Sequence, residues 1–239
     1  MLERALRAGW GPRAVLVGER ETERDAELRE LLKSHLAAGL VVHRIPDAVL
    51  LELGEERRAA LVTALFDLPR EGSVSELLAR APAPAIYLVV VDVEEPGNVG
   101  ALLRTALACG AAGMLCVGAT DPFHPKAVRT SLGSCFKLPF VRVDSAASEL
   151  LAELRAASVQ ALAAVAREGE PLHRAAWPAG NVAIIVGNEA QGLTEQWRSA
   201  ADARVSIDFS RAADSFGVTA AAAICLYEAQ RRLDVAGAR

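Results

Sequence analysis

At 239 residues, with 52% hydrophobic side chains, the chain is long enough for one large domain or two modest ones, each with its own core. Its 26 basic and 30 acidic residues leave a net charge of −4, which excludes a general polyanion binder, so any contact with nucleic acid has to be local. No apolar run reaches the roughly 18 residues of a membrane span, and Met1-Leu2-Glu3-Arg4 does not open a signal-peptide core; a cytoplasmic protein without a membrane partner is expected.

The first elements read as a small α/β unit. Ala14–Val17 is a short strand, and Thr22 is placed to cap a helix with Glu23 and Asp25 in its first turn. Leu28, Leu31, Leu32 and Leu36 then form an apolar stripe at helical spacing, and Gly39 ends the helix. Val41–Ile45 is a second strand. Pro46 opens a helix carrying Val49, Leu50 and Leu53. Residues 60–66 read as a third strand, although a helix fits nearly as well. The turn cluster Pro69-Arg70-Glu71-Gly72, a short helix over Ser75–Arg80 and Ala81-Pro82-Ala83-Pro84 then suggest a linker. The expected division is a first domain over 1–68, a linker over 69–85 and a second domain over 86–239.

From Ile86 the pattern alternates strand and helix. Ile86–Val91 is apolar throughout, as in a strand covered on both faces. Further strands are predicted at Met114–Val117, Phe140–Val143, Val159–Val165, Val182–Val186 and Val205–Ile207. Helices are predicted at Val99–Cys109, Ser145–Ala157, Thr194–Ala200 and Val218–Leu233. Such alternation predicts an α/β fold with a parallel sheet and helices on both faces. Cys109, Cys116, Cys135 and Cys225 sit among small and apolar residues with no Cys-x-x-Cys pair or neighbouring His, which favours buried free thiols over a metal site.

Three segments carry chemistry. In Ile184–Leu193 a buried run empties into a glycine-bracketed loop, Gly187-Asn188-Glu189-Ala190-Gln191-Gly192, which sets backbone amides and one acid at the carboxyl edge of a sheet. Upstream, Asn98 follows Pro96-Gly97 at the start of a helix, either as its N-cap or as a site residue. Arg104 interrupts the apolar stretch of the same helix, either as a surface arginine or with its guanidinium aimed into a cleft. Downstream, Ser215 in Asp214-Ser215-Phe216-Gly217-Val218 either caps the last helix or serves the site. Lys126 and Arg129 share one face of a short helix, a solvated face or a pair of phosphate contacts. His124 and His173 have no acid or thiol partner in the sequence and are not assigned as bases.

Together the segments resemble the SpoU (TrmH-type) branch of the SPOUT methyltransferases, RNA ribose 2′-O-methyltransferases that use S-adenosylmethionine. The first motif of that family is matched by Pro96–Gly100 through Arg104-Thr105-Ala106 and on to Arg129–Ser134, the second by Ile185–Leu193, and the third by Ile207 and Ser215–Val218 through Leu226-Tyr227-Glu228. The likeness runs from Ile86 to Leu233, and residues 10–66 resemble the L30e-type RNA-binding domain often found ahead of this catalytic domain.

The resemblance implies a deep trefoil knot in the second domain and a homodimer whose active site is completed across the interface. It implies Arg104, Asn98, Glu189 and Ser215 as catalytic residues. It places the cofactor among Val117, Gly118, Ala119, Gly187, Asn188, Gly192, Ile207, Ser215, Phe216 and Val218; with RNA as substrate, Lys126, Arg129 and Arg142 are the expected contacts to its backbone. Ribosomal RNA is the expected substrate ahead of transfer RNA, and no metal is expected. The third motif departs from the usual Ser-Leu-Asn-Val, because Gly217 stands where an asparagine is the rule. A non-catalytic RNA-binding dimer is therefore the alternative. An ordinary dinucleotide-binding enzyme is disfavoured, since no Gly-x-Gly-x-x-Gly follows the strand at Ile86–Val91.

Overall fold

A computed structural model describes residues 1–19, 26–36, 39–53, 62–210 and 215–237. The expected cap Thr22, its neighbours Glu23 and Asp25, the first two positions of the third strand and Asp214 lie outside the described residues. The chain divides into two compact units, Met1–Arg70 and Glu71–Arg239, so the division falls inside the stretch expected to be a linker.

In the first unit a three-stranded sheet has the order β2-β1-β3, with β1 at Ala14–Gly18, β2 at Val42–Ile45 and β3 at Val62–Leu65. Strand β1 pairs parallel with β2 and antiparallel with β3, which settles 62–65 as strand. Its alternate residues Val15 and Val17 are fully buried and pack with Leu32 and Leu28 of helix α2 (Ala26–Leu36). Two further helices, α1 (Leu2–Arg7) and α3 (Asp47–Leu53), bury Ala5 and Leu50. Helix α1 was not anticipated.

The second unit holds seven parallel strands in the order β6-β5-β4-β9-β7-β10-β8. They are β4 (Ile86–Val91), β5 (Gly113–Val117), β6 (Phe140–Val143), β7 (Val159–Ala164), β8 (Glu170–Pro171), β9 (Asn181–Val186) and β10 (Ala203–Ser206). All six residues of β4 are buried. Successive side chains of a strand point to opposite faces, so β4 feeds two cores. Ile86, Leu88 and Val90 join Leu102, Leu103 and Ala106 of α5 (Pro96–Ala108) and Ala222, Cys225 and Leu226 of α9 (Val218–Gly237). Tyr87, Val89 and Val91 join Val74 and Leu77 of α4 (Val74–Ala79), Leu150, Leu151 and Leu154 of α7 (Ala147–Ala156) and Trp197 of α8 (Glu195–Ala200). Each such fully buried Leu contributes about 1.5–3 kcal/mol by leaving water. Helix α4, in the expected linker, is therefore packed on this sheet; Ser73 and Glu76 close a capping box at its start.

Helix α5 begins earlier than expected. Its N-cap is Glu95, whose carboxylate accepts from Gly97 N at 3.0 Å, and Pro96 takes the first helical position. Asn98 is thus inside the first turn, with its side chain released from capping. Helix α6 (Pro125–Thr130) lies hard against α5, because a Cβ on Gly100 would collide with the Ala127 carbonyl and the Thr130 hydroxyl. No helix among the described residues is long and apolar enough to cross a membrane.

The C-terminal helix carries its own charge network. Glu228 accepts from Arg231 Nε and Nη2 at 2.8 Å and from Arg232 Nε at 2.6 Å, while Arg232 Nη2 donates to the His173 carbonyl at 3.0 Å. The Arg231 hydrogen bond, then that of Arg232, holds the Glu228 carboxyl down at about 2, below its ordinary 4.5. A depressed carboxyl stabilises the fold above its unfolded value, and this stabilisation is lost as pH falls from there through the folded value. The urea midpoint of the wild type is therefore expected to fall more steeply between about pH 5 and pH 3 than that of Glu228→Gln, as followed by circular dichroism; parallel curves would assign the acid sensitivity elsewhere.

Candidate active site

The site is built at the carboxyl ends of β4, β9 and β7. Chain order turns around here: β4 is followed by β5 on one side, while β9, from late in the sequence, pairs on its other side. Open α/β sheets bind ligands at such a reversal. Beyond Val186 the chain closes on itself. Gly192 N donates to the Asn188 carbonyl at 2.9 Å, and the Asn188 Oδ1 accepts from Ala190 N at 2.8 Å and Gln191 N at 3.1 Å. Its Nδ2 donates to the Asp92 carbonyl at 2.9 Å, stitching this loop to the end of β4. A Cβ on Gly187 would stand 2.5 Å from the Gly192 carbonyl carbon, and Gly192 has φ +66°, so the two bracketing glycines are required by contact and by backbone conformation respectively.

The closed loop sets Glu189 outward, where its Oε1 accepts from Asn98 Nδ2 at 2.7 Å. The pair links positions 91 residues apart and ties the start of α5 to the loop after β9.

Beside the loop lies a cavity of about 520 Å³. Its apolar wall comes from Val165, Val186, Ile207, Phe209, Phe216 and Val218, and its polar rim from Arg167, Glu168, Glu189, Arg198 and Ser215. Phe209 and Phe216 meet edge to face at 5.8 Å, and the Arg167 guanidinium stands over Phe209 at 5.9 Å from the ring centre. A second cavity of about 580 Å³ opens at the amino ends of β7 and β9. There Arg155 and Asp202 are bound to each other at 2.7 Å, and Asp202 also accepts from Ala161 N at 2.7 Å, so its charges serve the fold.

Of the residues predicted for the site, Gly187, Asn188, Glu189, Gly192, Ile207, Ser215, Phe216 and Val218 all line the first cavity, and Asn98 joins it through Glu189. Ser215 lies ahead of the helix start, where Gly217 accepts the first-turn bond from Ala221 N. Val117, Gly118 and Ala119 do not line the cavity. They lie at the end of β5, which is separated from β9 by β4, and Gly118 (φ +60°) packs against Asp92. The third wall comes instead from Ala164–Glu168 at the end of β7, the strand that pairs with β9. The signal in the sequence was the polar break Arg167-Glu168-Gly169 at the end of an apolar strand.

Arg104 is exposed on α5, has no hydrogen-bond or ion-pair partner among the described residues and does not line the cavity. Lys126 and Arg129 are both exposed on α6; Lys126 Nζ pairs with Glu95 at 2.6 Å, and that hydrogen bond is the main reason the Glu95 carboxyl lies below its ordinary value. Arg142, half exposed like Lys126, pairs with Glu71 and, at 3.0 Å, with Asp121. His124 caps α6 by accepting from Lys126 N, and His173 lies 3.5 Å from Asp208. Burial pushes the Cys116 and Cys225 thiols up to about 12, which suits packing rather than nucleophilic work.

Comparison with known proteins gives one consistent result. The SpoU rRNA Methylase family matches residues 85–227. The chain is 34% identical over 246 aligned residues to the 23S rRNA (uridine(2479)-2′-O)-methyltransferase of Streptomyces viridochromogenes, covering 95% of this chain and 79% of that one. It is 28% identical to the 23S rRNA (guanosine-2′-O-)-methyltransferase RlmB of Ralstonia nicotianae, over 90% of this chain and 87% of that one. Among solved structures, the SpoU methyltransferase AviRb from Streptomyces viridochromogenes in complex with the cofactor AdoMet superposes with a TM-score of 0.82 at 30% identity, covering 97% of this chain and 86% of that chain.

The two glycines of the site that differ most in surroundings make a direct comparison. Gly187→Ala forces a methyl into the Gly192 backbone and is expected to cost about 1–3 kcal/mol. Gly217, where a Cβ would meet nothing within 4 Å, should accept Asn with a change within about 0.5 kcal/mol. Urea unfolding followed through Trp177 and Trp197 checks both, and equal losses at the two positions would contradict the loop geometry.

Proposed function

The chain belongs to the SpoU rRNA methylase family, and we propose that it transfers a methyl group from S-adenosylmethionine to a ribose 2′-hydroxyl of ribosomal RNA. The Asn98–Glu189 hydrogen bond carries this reading, because it joins the first and second motifs at the rim of a cavity that the second and third motifs line. Ribosomal RNA ranks ahead of transfer RNA because the named relatives act on 23S rRNA.

The residues present fit the cofactor. The cavity lies in the size range of small-molecule sites. Its apolar wall suits an adenosyl group, and its polar rim suits a charged amino-acid end. Bound S-adenosylmethionine supplies an activated methyl group. The protein has to hold the ribose in line with it, and positioning of this kind contributes roughly 7–11 kcal/mol. It must also favour the alkoxide form of a hydroxyl about five pKa units above neutrality, worth roughly 7 kcal/mol.

Arg104 is assigned that second task. A guanidinium stays protonated, so Arg104 stabilises the developing alkoxide and clamps the neighbouring phosphate rather than removing the proton. Asn98 and Glu189 hold the start of α5 against the loop, and Ser215 belongs to the cavity rim. Arg104 stands off the cavity of its own chain, which supports a homodimer with the active site completed across the interface. The family's deep trefoil knot in the second unit is part of the same proposal. So is an RNA-binding role for residues 1–68, supported by their separate compact core. Ribosomal RNA as substrate implies a cytoplasmic enzyme.

A non-catalytic reading has one observation behind it, Gly217 in place of the family's asparagine; the open space at that position shows that the glycine is not required by packing. Arg104→Ala is expected to lower tritiated methyl transfer to ribosomal RNA by roughly 10²–10³-fold while S-adenosylmethionine affinity by calorimetry stays within about twofold. Near-normal transfer by this variant removes Arg104 from the reaction, and a wild type that binds the cofactor without transferring it favours the non-catalytic dimer. The joint replacement of Lys126 and Arg129 by Gln should weaken RNA binding and reduce the magnitude of its log K against log salt slope by roughly 1–2, since each phosphate contact contributes about 0.7–0.9. An unchanged slope takes these residues out of the RNA path.

A further inference from the structure

We infer that Leu132 makes an apolar contact to a nucleobase of the RNA, beside the phosphates held by Lys126 and Arg129. The inference rests on the reading of RNA as the substrate. Leu132 lies in the turn that follows α6, ahead of a short 3₁₀ helix at Ser134–Phe136. It is 43% exposed, while Ser131, Gly133 and Ser134 around it are buried. Its φ is +50°, and that of Gly133 is +90°. A left-handed backbone suits glycine or asparagine and is unfavourable for a bulky side chain. This leucine is neither favoured by its backbone conformation nor covered by the fold. Residues held in such conformations gather at functional sites.

The turn is built to keep that side chain outside. Ser131 Oγ donates to the Val128 carbonyl at 2.8 Å and accepts from Gly133 N at 3.2 Å. Ser131 N donates to the Ala127 carbonyl at 2.8 Å, Leu132 N to the Arg129 carbonyl at 3.2 Å and Ser134 N to the Ser131 carbonyl at 3.0 Å. Helix α6 is itself fixed against α5 at Gly100. The charges beside the leucine indicate what covers it. Lys126 and Arg129 are exposed on α6, six and three residues ahead of Leu132. The Lys126–Glu95 pair is half exposed and open to exchange. An apolar tip beside cations matches a polyanion with flat apolar faces, which is an unstacked stretch of RNA. Apolar side chains of this kind insert between base steps and unstack them. A second copy of the chain fits less well, because contact across a two-fold axis is self-complementary and would bring the same cations together.

Two variants test this. Leu132→Asn, a residue at home in a left-handed backbone, is expected to leave the urea midpoint at or above the wild-type value. It is expected to lower kcat/KM for methyl transfer to ribosomal RNA by about three- to thirtyfold. S-adenosylmethionine affinity and the log K against log salt slope should both stay as in the wild type, since no charge is lost. Leu132→Met, which keeps an apolar tip, should restore most of the transfer. Normal transfer by Leu132→Asn, or an equal loss in Leu132→Met, overturns the inference. A urea midpoint that falls along with transfer assigns Leu132 to the fold and overturns it too. So does a change of oligomeric state in sedimentation velocity, which would make the turn a seam between copies. A wild type that neither binds nor methylates ribosomal RNA ends the functional reading itself, whereas an active wild type indistinguishable from Leu132→Asn ends this inference alone.

Discussion

The side chain of Asn188 holds the site together. Its oxygen takes two backbone amides of its own loop and its nitrogen reaches the carbonyl that follows β4. One residue thereby satisfies backbone groups on both strands of the reversal, at the sheet edge where ladder bonds have ended. The loop can then be tight, with Gly187 against Gly192, and only a tight loop sets Glu189 where Asn98 meets it. If Asn188 were spent on a ligand, the loop would lose its internal acceptor. Its place on the cavity wall is thus structural as much as functional.

The sheet supplies the rigidity that this arrangement needs. Strand β4 is buried on both faces and pairs with β5 and β9. Helices pack on each side through separate clusters. Interiors packed in this way deform little, so the ends of β4, β9 and β7 are presented at fixed spacing. The close approach of α6 to Gly100 extends the same rigidity to the exposed face that carries Lys126 and Arg129.

Charge is distributed with the same economy. Arg142 and Arg155 are bound by carboxylates within the fold, and Glu228 gathers Arg231 and Arg232. Arg104 stands apart on α5 without a partner among the described residues. Exposed ion pairs are worth little, about 0–1 kcal/mol, so the Lys126–Glu95 pair is easily exchanged for a phosphate. A net charge of −4 is therefore compatible with RNA as substrate, because a few placed cations matter more than the total.

Most strands and helices of the second unit were legible in the sequence, because doubly covered strands are apolar throughout and the helices between them carry regular stripes. So were the glycine-bracketed loop and the set Asn98, Glu189 and Ser215, which mark themselves by interrupting apolar patterns and by their likeness to a family. Strand order was not legible. Periodicity reports which face a residue takes and says nothing about which strand lies next to which. The lining of the cleft was accordingly sought at Val117–Ala119, whereas the cavity is lined by Ala164–Glu168 at the end of β7, since β7 is the neighbour of β9. The partner of each charge was equally hidden: Arg142 and Arg198 look alike in sequence, and only the packing around them gives one two carboxylates and leaves the other with a buried, unmatched N–H. Local pattern determined the elements and the reactive residue types; long-range packing alone decided which of them meet.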